Sequence, residues 1–532
     1  MKRKHRVPRS QPDVLLIVLD TLRADRLSCY GYSRETSPHL DAFAEDAVLF
    51  ERAVSPAQWT IPAHASIFTG EYPTTHMTNQ IYDKHGSDQP LLAELLSQEG
   101  YRTVSFCNNP LLGVVENDLD RGFGEVYNYG GALPNRPAAA DSRPRIVGRV
   151  MRHLGRILGR VTTPVQDLFA RNEWLLNIAL HPRIVNLWHA NLNFKGDTSL
   201  SIRDMLGTLR THRKRQGKRP LFTFVNLMET HLPYRPPQRF IQRFAPYYRN
   251  DSEARDFMER YNLEHYRWMI PLEEPLSEVQ DRVLNDLYDA EIAYQDFLLR
   301  RLFEYLDQPE VRDNTLVIIT SDHGEGLNNH NFVGHSLVAY DDLVRVPLIV
   351  RYPRAYPQGK HVDNPVSTRR IFHTALQAAG VDLNGNGSGH VPVDVEGLSL
   401  TNALNGSDPE EGIVYTEAYT PDTLIALMKS QTPAMIETFR CNQMRRAVYQ
   451  DAYKLITVGD EPDELFDVIA DPAELENLIR RESETAMSLD RRLTAFRADA
   501  EARRPANWEA AQLQLEEDEE LMSRLRGLGY VE

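Results

Sequence analysis

The sequence predicts an α/β fold built on a doubly wound, mostly parallel sheet, followed by a smaller C-terminal α+β domain. Three observations carry that expectation. Short continuous apolar runs recur at 14–19, 103–107, 221–227, 315–320 and 346–350, the pattern of strands buried on both faces. Helix-like stretches lie between them, at 40–50, 62–68, 91–98 and 286–306, and strands alternating with helices imply parallel pairing. Asp20, His231, Asp322 and His323 stand just past predicted strands, where open α/β sheets bind ligands.

The chain has 532 residues, 42% hydrophobic and 25% charged, enough for a sizeable core and more than one ordinary domain. Residues 384–394, NGNGSGHVPVD, form a Gly/Asn/Pro-rich break. They divide the chain into a large α/β domain, 1–385, and a C-terminal α+β domain, 386–532. In the latter, 413–416, 445–449 and 454–458 read as strands of an antiparallel sheet, 473–500 as a long helix and the acidic run 516–520 as a solvated helix face.

A formal net charge of −15 and a pI of about 5.6 argue against a nucleic-acid binder. The three cysteines, Cys29, Cys107 and Cys441, are far apart, which argues against a disulfide framework or a thiolate zinc site. Pro12 and Asp13 interrupt the basic N-terminus, Asp20 ends the apolar run, and no apolar stretch of about 18 residues follows. A cytoplasmic location is therefore expected. Residues 131–219 read as a basic helical insertion between core strands. Within 143–161, Ile146, Val150, Leu154, Ile157 and Val161 recur at helical spacing among six arginines, a basic amphipathic helix; a second basic cluster spans 210–219. One reading packs the apolar stripe on the core and exposes the arginines. The other brings the helix to an anionic lipid or polymer, as a peripheral membrane contact would.

Four motifs carry chemistry when read together. In VLDTLRADRLSCYGY, Asp20 ends a buried strand as a hard ligand for a divalent cation. In SPAQWTIPAHASIFTG, Thr60 stands where a helix starts, with Pro62 in its first turn. An isolated threonine there is a plain N-cap. Beside a cation ligand, the same hydroxyl faces free N–H groups that bind phosphate or sulfate, and a metal would make it an alkoxide nucleophile. In NTLVIITSDHGEGLNNHNFVGHS, a strand runs into Asp322-His323-Gly324-Glu325, and His335 follows in a glycine-flanked loop. Adjacent Asp and His at a strand end can turn to one cation. In FVNLMETHLPYRPP, His231 follows another buried strand, placed for substrate contact.

Asp20 with LSCYG, the 60–70 segment, His231-Leu-Pro-Tyr and 321–325 resemble, in order and spacing, the motif series of the sulfatase family of the alkaline-phosphatase superfamily. GYRTVSFCNN, DRGFGEVY, DDLVRVPLIVRYP, DVEGLSL, YKLI and ELFDVIADPAELENL extend the resemblance over the chain, apart from 131–219. It implies an alkaline-phosphatase-like sheet with helices on both faces, an active site above it, and metal-dependent hydrolysis of an anionic ester. The departures narrow that. The family's Cys-x-Pro-x-Arg, whose cysteine becomes formylglycine, here reads Thr60-Ile-Pro62-Ala-His64. Formylglycine hydrate expels sulfate through its second hydroxyl. Thr60 has only one, so a sulfated threonine would be trapped, whereas a phosphothreonine is attacked at phosphorus by water or an acceptor alcohol. Where sulfatases carry paired acids and Asp-Asn, this chain has Asp20-Thr21 and Asp322-His323. A donor set with an imidazole suits Mn2+ or Zn2+ better than Ca2+. The combination is similar to phosphoethanolamine transferases, lipoteichoic-acid synthases and nucleotide pyrophosphatase/phosphodiesterases. Leu227 replaces the acid with which the last of these hold a second zinc, so one tight metal is expected.

The expectation is a sulfatase-like hydrolase with Thr60 as nucleophile, suited to phosphodiester or phosphonate and phosphate esters. A sulfuric ester hydrolase (arylsulfatase-like), or a transferase of a phospho-group to a lipid or glycan acceptor, are the alternatives. Asp20, Thr60, Asp322 and His323 hold one cation, Mn2+ or Zn2+. His64 orients Thr60, and His231 and His335 stabilise the anion or protonate the leaving group. Asn108 and Asn109, near the place of the family's missing Gly-Lys-x-His segment, donate to a substrate oxygen.

Overall fold

The computed structural model describes residues 11–113, 115–130, 195–214, 219–264, 268–272, 274–381 and 394–505. The expected helix at 143–161, the boundary at 385/386 and the acidic run at 516–520 lie outside the described residues. Helix Leu400–Asn405 still packs on Arg370–Ala379 of the large domain.

Strand Asp13–Leu19 lies inside an eight-stranded sheet ordered Lys360–Val362, Val48–Phe50, Leu348–Arg351, Thr315–Thr320, Asp13–Leu19, Leu221–Leu227, Arg102–Cys107 and Glu125–Asn128. It pairs in parallel with Thr315–Thr320 and Leu221–Leu227, and the parallel order continues through the last two strands. Leu348–Arg351 is antiparallel to both of its neighbours. Because successive strand side chains point to opposite faces, the first strand feeds two cores. Val14, Leu16 and Val18 meet Ile61, Ala65 and Phe68 of helix Thr60–Thr69 and Ile371 and Ala375 of helix Arg370–Ala379. Leu15, Ile17 and Leu19 join the opposite core with Leu284, Leu287 and Leu299 of helix Glu278–Leu306 and Met205 of helix Thr198–Lys214. Burial on both faces requires an apolar residue at every position, which is why these strands are unbroken runs in the sequence.

Three expected elements of the large domain differ. The 40–50 stretch is a helix only at Pro38–Ala44; Val48–Phe50 is a buried strand, captured by pairing with Leu348–Arg351 and Lys360–Val362. The 346–350 strand is divided at Pro347, which has no N–H to donate to a ladder. Arg345–Val346 joins a three-stranded sheet with Ala53–Val54 and Val366–Ser367, and Leu348–Arg351 stays in the main sheet. The long helix starts at Glu278 rather than 286, because Ser277 and Gln280 close a capping box.

The C-terminal sheet is antiparallel, in the order Val414–Ala418, Arg445–Gln450, Tyr453–Val458, Glu461–Asp467. The last strand, EPDELFD, carries too many charges to show in the sequence. Val448, Leu455 and Leu465 on one face pack under Leu489, Leu493 and Phe496 of helix Ser483–Ala502. Ala447, Ile456 and Phe466 on the other face pack against Leu337, Leu343 and Val344 of the large domain. The helix starts later than the expected 473. Asp471 accepts the N–H groups of Leu475 and Glu476 at 2.7 Å each, holding a turn there, and Glu474 is drawn inward to Lys454.

Lys454 is fully buried, with Nζ 2.8 Å from Asp341 of the large domain and 2.6 Å from Glu474. Removing the cation leaves two carboxylates buried together, a costly arrangement. Lys454→Ala is therefore expected to destabilise the protein by about 3–5 kcal/mol in denaturant unfolding. A change under about 1 kcal/mol would show that the cluster does not hold the domains together.

Candidate active site

Parallel pairing brings the carboxyl ends of three central strands to one edge. Asp20 follows Asp13–Leu19, His231 lies past Leu221–Leu227, and Asp322 and His323 lie past Thr315–Thr320. Helix Thr60–Thr69 starts against them. Trp59, in extended conformation, is its N-cap and makes no side-chain cap bond, so Thr60 is the first helical residue. Its hydroxyl is thus not spent on capping. Oγ1 lies 3.4 Å from His323 Nε2.

The carboxylates are held by one oxygen each. Asp20 Oδ2 accepts from Asn109 Nδ2 at 2.8 Å and from Asn226 Nδ2 at 3.1 Å. Asp322 Oδ1 accepts the His323 N–H at 2.9 Å and the Thr21 N–H at 3.3 Å. The other oxygens, Asp20 Oδ1 and Asp322 Oδ2, are buried with no hydrogen-bond partner. His323 donates from Nδ1 to the Gly324 carbonyl at 2.9 Å, which turns the Nε2 lone pair toward them. Asp20, Asp322 and His323 each offer a ligand atom, and these atoms lie within 4.8 Å of one another. Buried, unpartnered carboxylate oxygens are costly unless a cation satisfies them, so the donor set fits a divalent ion. Gly324 has a steric reason: a Cβ there would collide with the Asp342 carbonyl.

His64 lies one helical turn beyond Thr60 and donates from Nδ1 to the Thr60 carbonyl at 2.9 Å; the same atom is 3.4 Å from Asp322 Oδ2. It therefore reaches the backbone of Thr60 rather than its hydroxyl. His335 Nδ1 lies 2.9 Å from Glu325 Oε1, and the Tyr234 hydroxyl donates to Glu325 Oε2 at 3.1 Å. His335 Nε2 is buried with no hydrogen-bond partner. Its ring lies 4.5 Å from that of His323 and 5.0 Å from that of His231. His231 donates from Nδ1 to the Leu232 carbonyl at 2.7 Å. Burial pushes His323 down to about 3 and His335 down to about 4; it also lowers His231, with His335 reinforcing the effect. Burial raises the Glu325 carboxyl to about 7 and also raises Asp322, against the pull of His64.

Of the expected site residues, Asp20, Thr60, His64, Asp322, His323, Asn109, His231 and His335 converge here. Asn109 engages Asp20 itself. The Asn108 side chain is occupied elsewhere, by Thr198 and Ser201 at the start of helix Thr198–Lys214. Sequence reasoning missed Asn226, whose trace was a polar residue within an apolar strand. It also missed Gln58, which donates to the carbonyls of Ser336 and Tyr419 at 3.1 and 2.8 Å, linking the Thr60 turn, the His335 loop and the C-terminal domain. Glu325 belongs to the Asp322-His323-Gly324-Glu325 motif, but its pairing with His335 was not visible from spacing.

The family model described as Sulfatase matches residues 12–381. The chain belongs to the sulfatase family. A second model, described as N-sulphoglucosamine sulphohydrolase, C-terminal, matches 329–499. The chain is similar to the uncharacterized sulfatase YidJ of Escherichia coli (strain K12), 24% identical with 88% of this chain and 83% of that protein covered. It is similar to an ulvan-active sulfatase of Formosa agariphila, 25% identical over 88% of this chain and 77% of that protein. Its fold resembles the phosphonate monoester hydrolase of Agrobacterium radiobacter, with a TM-score of 0.62, 20% identity, and 92% and 96% of the two chains covered. The chain is thus a hydrolase of the alkaline-phosphatase superfamily. Sulfatase-family enzymes use a divalent metal, and the Asp20, Asp322 and His323 group suits one. Among the described residues no helix is long and apolar enough to cross a membrane.

A cation bound between these side chains stabilises the folded state by mass action. Chelation should lower the melting temperature of the wild-type protein, and added Mn2+ or Zn2+ should restore it. Asp322→Asn should abolish this response. Identical melting curves with and without chelator would count against a metal at this position.

Proposed function

We propose that this chain is a metal-dependent hydrolase with Thr60 as nucleophile, acting on phosphodiester, phosphonate or phosphate esters. The observation that carries the reading is the Thr60 hydroxyl. It begins a helix, is left free of capping, and stands 3.4 Å from His323 where the family places its formylglycine precursor. A divalent cation, Mn2+ or Zn2+, held by Asp20, Thr60, Asp322 and His323 would lower the pKa of the hydroxyl and offset the charge of the ester.

The chain's own groups do the rest. His64 fixes the first helical turn through the Thr60 carbonyl. Thr60 gives up its hydroxyl proton to solvent, and Oγ1 forms a bond to phosphorus as the bond to the leaving oxygen breaks. His231 and His335 are held neutral by burial, and an anionic ester beside them raises their proton affinity so that each takes up a proton from solvent. His231 and His335 then donate to a non-bridging oxygen or protonate the leaving alcohol. Water adds at phosphorus in the second step, the P–Oγ bond breaks, and Thr60 recovers a proton. Asn109 serves Asp20, and we assign it a positioning role rather than direct substrate contact. Sulfate-ester hydrolysis is the second reading, supported by the sulfatase relatives; Thr60 lacks the second hydroxyl by which formylglycine hydrate releases sulfate.

A panel of aryl phosphate monoester, phosphodiester, phosphonate and sulfate esters with Mn2+ or Zn2+ separates the two. The phosphorus esters should turn over faster, Thr60→Ala should lose at least about a thousandfold in kcat, and quenched reactions should carry a phosphoryl adduct on Thr60 by mass spectrometry. Efficient sulfate turnover that depends on Thr60 would sink the phosphorus reading. His335→Ala should slow substrates with alkyl leaving groups roughly a hundredfold and p-nitrophenyl substrates much less. Equal losses on both would show that it does not protonate the leaving group.

A further inference from the structure

Lys195 is a buried cation that the mechanism above does not use. It is 7% exposed. Nζ donates to the Glu229 carbonyl at 2.8 Å and to Glu291 Oε1 at 2.9 Å. A buried ammonium needs partners of this kind; what is informative is where these partners lie. Glu229 belongs to the turn that leaves strand Leu221–Leu227 and delivers His231. That turn is tied down at successive residues. The Glu229 N–H donates to Gln295 Oε1 at 3.2 Å, and Thr230 Oγ1 donates to the Asp20 carbonyl at 2.6 Å. Past His231, the Arg235 N–H donates to the same Glu291 Oε1 at 2.6 Å. The ion pair of Lys195 and Glu291 therefore grips the main chain on both sides of His231, once through the ammonium and once through the carboxylate. Helix Thr198–Lys214 is anchored close by, through Thr198 and Ser201 to Asn108, so Lys195 is presented by a fixed base.

We propose that Lys195, paired with Glu291, is a positioning residue for the reaction, holding the 229–235 turn so that the His231 imidazole faces the substrate. The proposal rests on the reading of His231 as a group that acts on the ester. Small displacements of such a group cost rate rather than affinity. A purely structural lysine would instead change stability or metal content and would slow all substrates alike.

The test uses the metal-loaded full chain and aryl and alkyl phosphodiesters. Lys195→Met is expected to lower kcat by roughly tenfold to a hundredfold, with KM and metal content unchanged and a larger loss for the alkyl leaving group. In a His231→Ala background the same change should cost no more than about twofold, because the group it positions is gone. Losses that multiply across the two changes, or that are equal for both leaving groups, would overturn the proposal. If Lys195→Met fails to fold, Lys195→Met with Glu291→Gln removes both ends of the pair, which relieves the unpaired carboxylate. That folded variant should remain slow, and wild-type kcat in it would overturn the proposal. His231→Ala with undiminished activity would refute the role of His231 itself, an outcome distinct from a failure of Lys195 alone.

Discussion

Two carboxylate oxygens, Asp20 Oδ1 and Asp322 Oδ2, are buried side by side without a donor, and the rest of the site is arranged around that arrangement. Like charges out of water repel and are poorly solvated, so the fold must bring them together by force of packing. The parallel pairing of Thr315–Thr320 and Leu221–Leu227 on either side of Asp13–Leu19 does so. Every apolar position of the first strand is buried on one face or the other, and the strand ends deliver Asp20 and Asp322 to one point. The amides of Asn109 and Asn226 and the backbone N–H groups of Thr21 and His323 each take one oxygen of a pair, leaving the other unspent. The cost of burying two unpartnered carboxylate oxygens is what makes the pair suited to a divalent cation.

The second constraint is the freedom of the Thr60 hydroxyl. In most helices a threonine at this point would bond to the backbone of the first turn. Here Trp59 takes the N-cap position without a side-chain bond, and His64 engages the Thr60 carbonyl. The hydroxyl is left 3.4 Å from His323 Nε2. Beside His323, the residues His231, His335 and Glu325 form a buried group in which burial lowers both histidines and raises the Glu325 carboxyl to about 7, favouring the uncharged form of each. The proposed chemistry needs both groups, the nucleophile and cation ligands and, 4.5 Å ring to ring from His323, the proton-carrying His335.

The C-terminal domain takes part in this arrangement. Its sheet packs on Leu337, Leu343 and Val344, next in the chain to His335. Gln58 bonds to Ser336 and to Tyr419. Leu327 and Val333 lie in one hydrophobic core and Leu337, Leu343 and Val344 in another, so the stretch that carries His335 runs between the two. This gives the C-terminal domain, which carries none of the proposed cation ligands, a physical part in the site.

The central strands could be read from the sequence, because burial on both faces leaves unbroken apolar runs at 14–19, 221–227 and 315–320. The proposed cation ligands and nucleophile were legible for a related reason: Asp20, Thr60, Asp322 and His323 sit at strand and helix ends, which local pattern marks. Tertiary pairing decided the rest. Val48–Phe50 became a strand only because two others flank it, Pro347 divided a run that hydrophobicity alone joined, and the charged strand Glu461–Asp467 exists by virtue of its neighbour. The partners of each site residue were likewise hidden. Asn226 on Asp20, Glu325 on His335 and Lys195 on the turn of His231 join residues through side-chain geometry, which spacing along the chain does not encode. The sequence by itself singled out the residues proposed to carry the chemistry; only the tertiary structure decided which atom of each is left without a partner.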